Sequence, residues 1–139
     1  MSHLYESARL HLTSDFPEEL PESAAYTHGG FLLIWLLNND MIKPHVSERF
    51  EDAIERFNDS QINAGQFFEA CGGEIRSDML TTSGNNFALA YLERFYLEDY
   101  KTLFQEDFPR HFDVTDNDDH LEVVCEMLDT IHHEWTLDT

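Results

Sequence analysis

The feature that most constrains the fold is an apolar stretch, FLLIWLL, which runs from Phe31 to Leu37. It is far shorter than the roughly 20 residues that cross a bilayer, and a helix that is apolar all round is typical of a protein core. We therefore predict a central, buried helix that begins with Ser23 as its cap and ends near Asn38. Gly29 and Gly30 lower its helix propensity but permit close approach of a neighbour.

The segment before this helix is predicted to be an extended arm. Residues 1–21 end in DFPEELP, and its two prolines interrupt any helix. We expect the arm to lie over a helical core formed by residues 22–139. His28, at the start of the buried helix, is predicted to be a structural histidine that ties the arm to the core. The arm residues of this predicted clamp are Asp15, Phe16 and Pro17.

Two shorter helices are predicted in the middle of the chain. Pro44 is expected to break the chain, and Ser47 then begins SERFEDAIERFN, in which apolar residues recur at helical spacing. A second helix spans Asn63 to Ala70, with Asn63 and Gln66 as a capping-box-like start. The segment IRSDMLTTSG that follows is predicted to be a loop.

The second half of the chain contains the longest helical patterns. From Gly84 an apolar stripe drifts, as if two helices meet or one helix bends near Tyr96. The last helix is the clearest, because one stripe runs along it and TDNDD places acidic groups at its start. The stripe contains Leu121, Val124, Cys125, Leu128, Ile131 and Trp135. The fold class predicted is all-α, a single domain of five or six helices, with an extended N-terminal arm and at most a short strand pair.

Charge restricts the function classes. The chain has 28 Asp and Glu residues against 8 Lys and Arg, a formal net charge of -20. Nucleic acid is bound chiefly by neutralising its phosphates with Lys and Arg, so direct binding of DNA or RNA is not expected. A basic protein partner is one explanation of this charge. Solubility, or adaptation to a salty cytoplasm, is the other.

The acidic residues concentrate near the C-terminus. From His111 to Thr139 there are nine Asp or Glu residues and no Lys or Arg. Glu122, Glu126 and Asp129 follow the i, i+4, i+7 spacing that places like charges along one helical face. A solvated face explains such a run as well as a binding face does. The predicted partner-binding residues are Asp113, Asp116, Asp118, Asp119, Glu122, Glu126 and Asp129.

Histidine is the best candidate for metal chemistry, since the chain has eight. His132, His133 and Glu134 are adjacent, and His120 lies upstream on the same predicted helix. Adjacent histidines on a helix point about 100° apart, and HHE lacks the HExxH spacing. Surface histidines are therefore the simpler interpretation, and we expect no metal and no cofactor.

Known catalytic motifs are absent from the sequence, which has no GxSxG, P-loop or GxGxxG pattern. Cys71 and Cys125 have neither metal-ligand nor redox spacing, so reduced thiols are predicted. The N-terminal MSHLYESARLHLTSDF lacks the basic and apolar regions of a secretion signal. These features predict a cytoplasmic protein that acts by binding.

Two blocks of the sequence, residues 5–42 and 65–100, resemble a family of small bacterial proteins that carry a domain of unknown function. The most specific features are DFPEELP, the pair Thr27 and His28 before the helix that carries Trp35, and YLEDY. The chain departs from the family pattern beside His11, where aromatic residues are common, and at Gly29, where a bulkier residue is common. The acidic C-terminal helix lies beyond the resemblance.

Some relatives are encoded beside polymorphic toxins, including those delivered by type VI secretion. The resemblance therefore implies an immunity protein, an antitoxin that binds a cognate toxin domain, as a monomer or homodimer. We predict that the toxin has a basic active-site cleft. The alternatives are a small metal-dependent enzyme that uses His120, His132 and His133, and an acidic interaction module with a housekeeping role.

Overall fold

The apolar stretch forms the central helix, α1 (Thr27–Asn38), of the computed structural model, which describes residues 2–12 and 16–138. Every residue from Phe31 to Leu36 is at most 6% exposed, which confirms the prediction of a buried helix. Ser23 is not its cap. The backbone N–H of Tyr26 donates to the Ser23 carbonyl at 3.0 Å, so Glu22–Ala25 is a separate 3-10 turn and α1 begins one turn later.

Pro44 begins a helix rather than breaking the chain. It is the first residue of α2 (Pro44–Arg49), a position at which its missing N–H costs nothing because that group has no partner inside a helix. The helix predicted from Ser47 is also divided, since the chain turns at Phe50 before α3 (Glu51–Asn58). α4 (Ala64–Ala70) has the predicted capping box between Asn63 and Gln66.

α4 packs directly against α1, and the two glycines of α1 make this possible. A Cβ atom added at Gly30 would lie 2.2 Å from the Ala64 carbonyl oxygen, and one at Gly29 would lie 2.3 Å from the Phe68 ring. Neither contact is possible for a larger residue without a shift of the neighbour. The sequence prediction that this pair permits close approach is confirmed.

The segment predicted as a loop contains β2 (Glu74–Arg76) and a 3-10 turn, and a helix begins before its end. α5 (Thr82–Phe87) is capped by the Thr81 hydroxyl, which accepts from the Gly84 N–H at 3.1 Å. A π-helical turn, Ala88–Leu92, joins α5 to α6 (Glu93–Phe104). The wider π-helical turn changes the direction in which the following side chains point. The drift in the apolar stripe therefore arises at this turn, before Tyr96, whereas the sequence pattern placed it near Tyr96.

The last helix, α7 (Asp118–Leu137), follows the predicted stripe. The Asn117 side chain caps it by accepting from the His120 N–H at 2.8 Å. Val124 and Leu128 are buried against the core, and the acidic residues of its first turns face outward. α7 also contacts α1, since the Trp35 indole of α1 donates to the Asp129 carboxylate of α7.

The N-terminal segment is more ordered than an extended arm. β1 (Leu4–Ser7) pairs antiparallel with β2 in a two-stranded sheet, and Ala8–His11 forms a 3-10 turn. The Ala8 N–H donates to the Gly73 carbonyl at 3.0 Å, which extends the pairing. The N-terminal segment is therefore hydrogen-bonded to the middle of the chain, and β1 and β2 form the short strand pair that the sequence prediction allowed for.

The predicted clamp is only partly formed. Asp15 lies outside the described residues, and the Phe16 ring packs edge-on against Phe112, with centroids 4.9 Å apart. His28 is buried, as a structural histidine should be, and its ring nitrogen faces His11 and Glu6, which precede the DFPEELP segment. The predicted fold class is confirmed, because the protein is a mostly helical single domain. Among the described residues, no helix is long and apolar enough to cross a membrane.

Candidate functional site

Four of the seven predicted partner-binding residues form one exposed surface. Asp118, Asp119, Glu122 and Glu126 lie in the first half of α7, and all four are exposed. Within residues 16–138, their carboxylates form no hydrogen bond or ion pair with another side chain. We call these four residues the acidic face. Its charges are available to a partner because no interaction inside the described chain neutralises them.

Asp113 belongs to a different arrangement. Its Oδ1 accepts from Nη2 of Arg110 at 2.8 Å, while Nη1 of the same arginine donates to Glu19 at 2.7 Å. Hydrogen bonds from Arg110 hold the pKa of Asp113 below its usual value. Asp113 is therefore paired and contributes to the fold of the loop that precedes α7.

Asp116 is half-buried and acts as a structural cap. Its Oδ1 accepts from the Ala64 N–H at 3.0 Å and its Oδ2 from the Gly65 N–H at 2.7 Å. These are the first two N–H groups of α4, which have no acceptor inside the helix. Burial raises the pKa of Asp116, although these two backbone bonds act in the opposite direction. Asp116 links the start of α4 to the loop before α7 and is the least available of the predicted binding residues.

Asp129 combines exposure with an internal role. Its Oδ1 accepts from the indole Nε1 of Trp35 at 2.8 Å. Trp35 is 1% exposed, so this carboxylate satisfies a donor that water cannot easily reach. Asp129 therefore connects α7 to α1, and a substitution there changes more than surface charge.

The histidines considered for a metal-dependent enzyme do not converge. His120 packs between Phe104 and Phe108, and its Nδ1 hydrogen bonds to the Thr115 carbonyl at 2.6 Å. His132 lies on the same helix about 18 Å away along the axis, against Trp35 and Phe87. His133 is exposed. These positions give the three histidines no common point for a metal ion.

A different group of side chains does converge. Within residues 2–12 and 16–138, the only group of three or more potential metal ligands consists of Glu6, His11 and His28, whose donor atoms all lie within 4.8 Å of one another. Nε2 of His11 lies 2.7 Å from Glu6 Oε1 and 3.2 Å from Nε2 of His28. Nε2 of His28 lies 3.5 Å from Glu6 Oε2. We call these three residues, together with the adjacent His111, the histidine cluster.

Separate elements position the cluster. Glu6 lies on β1, His11 on the 3-10 turn after it, and His28 in the first turn of α1. The Tyr96 hydroxyl of α6 donates to the His28 carbonyl at 2.6 Å and fixes that turn. The His111 ring approaches from the loop before α7, with its centroid 5.7 Å from that of His28 and 6.3 Å from that of His11.

The electrostatics of the cluster reflect its burial. Burial alone would raise the pKa of Glu6, but the hydrogen bonds and charges of His11 and His28 outweigh it and lower the pKa to about 2. Glu6 is therefore a carboxylate at neutral pH. Burial, with the nearby charge of His28, lowers the pKa of His111 to about 4, so its imidazole is neutral. Nε2 of His111 is buried and has no hydrogen-bond partner among the described residues.

Sequence reasoning missed Glu6, His11 and His111 as members of one site. The four residues are spread over more than 100 positions of the chain, and no fixed spacing connects them. His28 alone was singled out, because it precedes the buried helix. The only available signal was the high number of histidines, and this number does not indicate which of them lie close together in the fold.

Both cysteines are free thiols, as predicted. Burial raises the pKa of Cys71 to about 12. Burial and the charge of Asp129 raise the pKa of Cys125 to about 11. Since thiolates are the reactive form, neither cysteine is an activated nucleophile.

Comparison with known proteins gives one match. Neither curated proteins nor solved structures gave a significant match to the chain. A family model matches residues 4–114, which include the whole histidine cluster but end before α7. Because this match covers most of the chain, the protein belongs to the family described as domain of unknown function DUF7832.

Proposed function

We propose that this protein is an immunity protein that binds a basic toxin domain through the acidic face of α7. The observation that carries the proposal is the exposure of Asp118, Asp119, Glu122 and Glu126 in a stretch that contains no Lys or Arg from His111 onward. The function is binding, and the partner supplies the positive charge.

The spacing of the residues in the acidic face destabilises α7 in the free protein. Asp118 and Glu122, and likewise Glu122 and Glu126, are four residues apart on one helix. Like charges at this spacing destabilise a helix by a few tenths of a kcal/mol per pair. A basic surface that docks on α7 removes this repulsion. The net charge of -20 adds a long-range field that accelerates encounter with a cation-rich partner.

An apolar side chain lies beside this charged surface. Val123 is 38% exposed, beside Glu122 and one turn before Glu126 and Met127. Protein interfaces combine charge steering with a few desolvated anchors. Val123 supplies a small anchor of this kind at the edge of the acidic face.

The toxin as partner is supported by the resemblance to proteins encoded beside polymorphic toxins. The match to the family model ends at residue 114, so α7 lies outside it. In the proposed arrangement, the matched region provides the scaffold and α7 determines which partner is bound. The rival proposal, in which the acidity serves only solubility, makes no prediction about a particular face.

The test is a charge reversal confined to the acidic face. Asp119, Glu122 and Glu126 are replaced by Lys, while Asp129 is kept because it accepts from the Trp35 indole. Each of the three changes alters the charge by two, so the net charge moves from -20 to -14. At low salt the association rate with the adjacently encoded toxin domain should fall at least about tenfold, and its salt dependence should flatten.

The matched control reverses Glu48, Glu51 and Glu55, which are exposed on α2 and α3. This variant also reaches a net charge of -14, so it reproduces the global change without touching α7. It should associate close to the wild-type rate and rescue growth against the toxin. Equal rates for the two variants would refute the acidic face as the binding surface. Absence of any complex with the toxin domain would refute the immunity function.

A further inference from the structure

Three potential ligands from three separate segments meet at one buried point. The side chains of Glu6, His11 and His28 are 12%, 18% and 2% exposed, respectively. Each comes from a different element, so their convergence is a tertiary feature and not a consequence of local spacing. Such a convergence of a carboxylate and two imidazoles requires a physical explanation, because buried polar groups need partners.

Hydrogen bonds alone satisfy this arrangement poorly. Nε2 of His11 faces both Glu6 Oε1, at 2.7 Å, and Nε2 of His28, at 3.2 Å. An imidazole nitrogen carries at most one hydrogen. If that hydrogen lies on the bond to Glu6, it cannot also join the two nitrogens. If both nitrogens carry hydrogens toward Glu6, two N–H groups face each other at close range.

A metal ion satisfies all three groups at once. Ligand atoms about 2.0–2.1 Å from a tetrahedral zinc ion lie about 3.3 Å apart. The two imidazole nitrogens lie 3.2 Å apart, and the two oxygens of Glu6 lie at 2.7 Å (Oε1 to His11) and 3.5 Å (Oε2 to His28), so these distances fall on both sides of this value. A cation at their centre accepts one lone pair from each group, which no distribution of hydrogens achieves.

We propose that Glu6, His11 and His28 bind one divalent transition metal ion of the zinc class, and that the adjacent His111 moves closer to complete the site as the fourth ligand. Imidazole and carboxylate donors suit this class of metal. His111 contributes a buried Nε2 without a hydrogen-bond partner in residues 2–12 and 16–138. Burial of the cluster indicates a structural ion that fastens the N-terminal segment to α1.

The charge of the site agrees with this occupant. A divalent cation with one carboxylate and neutral imidazoles leaves a single positive charge, inside a protein whose net charge is -20. The surrounding field therefore favours entry and retention of the cation. No second carboxylate is needed to balance it.

The test uses full-length protein purified without a histidine tag and dialysed against a chelator. Titration with zinc should give one tightly bound ion per chain, and zinc should raise the thermal unfolding midpoint, since an ion that binds only the folded state stabilises it. Cobalt in place of zinc should give the visible absorption of a tetrahedral site. Zinc bound weakly or at no fixed stoichiometry would overturn the proposal.

The test variants are Glu6→Gln and His11→Gln, which preserve side-chain size approximately. Each should raise the zinc dissociation constant at least about 100-fold, because loss of a direct ligand exceeds the usual effect of its supporting groups. Zinc should then no longer shift the unfolding midpoint. His28 is left intact because it is almost fully buried.

The matched controls are His120→Gln and His133→Gln, which remove imidazoles that lie elsewhere. Both should bind zinc like the wild type. Circular dichroism of every variant checks that the fold is retained. Zinc binding that survives Glu6→Gln and His11→Gln, or that is lost in either control, would place the ion at another site and overturn the proposal. His111→Gln should weaken binding at least about tenfold, and unchanged affinity would overturn its assignment as the fourth ligand.

Discussion

Replacement of Asp116 by Ala should destabilise the protein through the start of α4. The first turn of a helix presents N–H groups that have no acceptor inside it. In α4, the Asn63 side chain accepts from the Gln66 N–H, and Asp116 accepts from those of Ala64 and Gly65. Ala64 and Gly65 are buried, so water does not readily replace the lost carboxylate. The substitution leaves two N–H groups without acceptors.

The magnitude follows from these two bonds. A hydrogen bond to a charged group contributes about 1.5–3 kcal/mol. Removal of Asp116 also relieves the desolvation that raises its pKa, which offsets part of the loss. We therefore expect Asp116→Ala to lower the free energy of unfolding by about 2–4 kcal/mol. For a chain of 139 residues this corresponds to a fall in the unfolding midpoint of roughly 10 °C.

Urea and thermal denaturation measure this effect. The matched control is Glu122→Ala, which removes an exposed carboxylate of the acidic face and should change stability by less than about 0.5 kcal/mol. Asp116→Asn keeps one carbonyl oxygen, so its stability should lie between those of Asp116→Ala and Glu122→Ala. The urea slope should stay constant, since the same surface is exposed on unfolding. If Asp116→Ala were as stable as Glu122→Ala, the capping role would be refuted.

Two further substitutions test the packing around α1. Asp129→Leu should lower the free energy of unfolding by about 1–3 kcal/mol, because the buried Trp35 N–H loses its acceptor. Glu126→Leu is the control, and equal stability of the two variants in urea would contradict the role of Asp129 as this acceptor. Gly30→Ala should lower the free energy of unfolding by about 3 kcal/mol or more, since its Cβ would lie 2.2 Å from a backbone oxygen of α4. A thermal unfolding midpoint equal to that of the wild type would refute the close approach of the two helices.

The helices were predictable to the extent that their signals are local. α1 was identified because an unbroken apolar stretch needs a core, and α7 because one stripe and one capping segment define it. The boundary at Ser23 was wrong because Ser23 lies inside the 3-10 turn Glu22–Ala25, which follows Pro21 and precedes α1. The helix junction or bend predicted near Tyr96 lies about one turn earlier, at the π-helical turn Ala88–Leu92 between α5 and α6.

The candidate sites were less predictable because they depend on tertiary contacts. A run of acidic residues predicts an exposed surface, and seven of its nine members are exposed, but the loop before α7 turns Asp116 toward α4. The histidine cluster had no local signal at all. Glu6 and His28 are brought together by the pairing of β1 with β2, which connects residues separated by about 70 positions.

The position of α1 within the chain has a consequence for folding during synthesis. α1 leaves the ribosome early, but the elements that cover it, α4 and α7, emerge after it, and α7 is the last helix described. Until then one side of the apolar helix remains uncovered, and even β1 must wait for β2. Folding around α1 is therefore completed only after α7 has emerged, and a nascent chain stalled before α7 presents an aggregation-prone surface to chaperones.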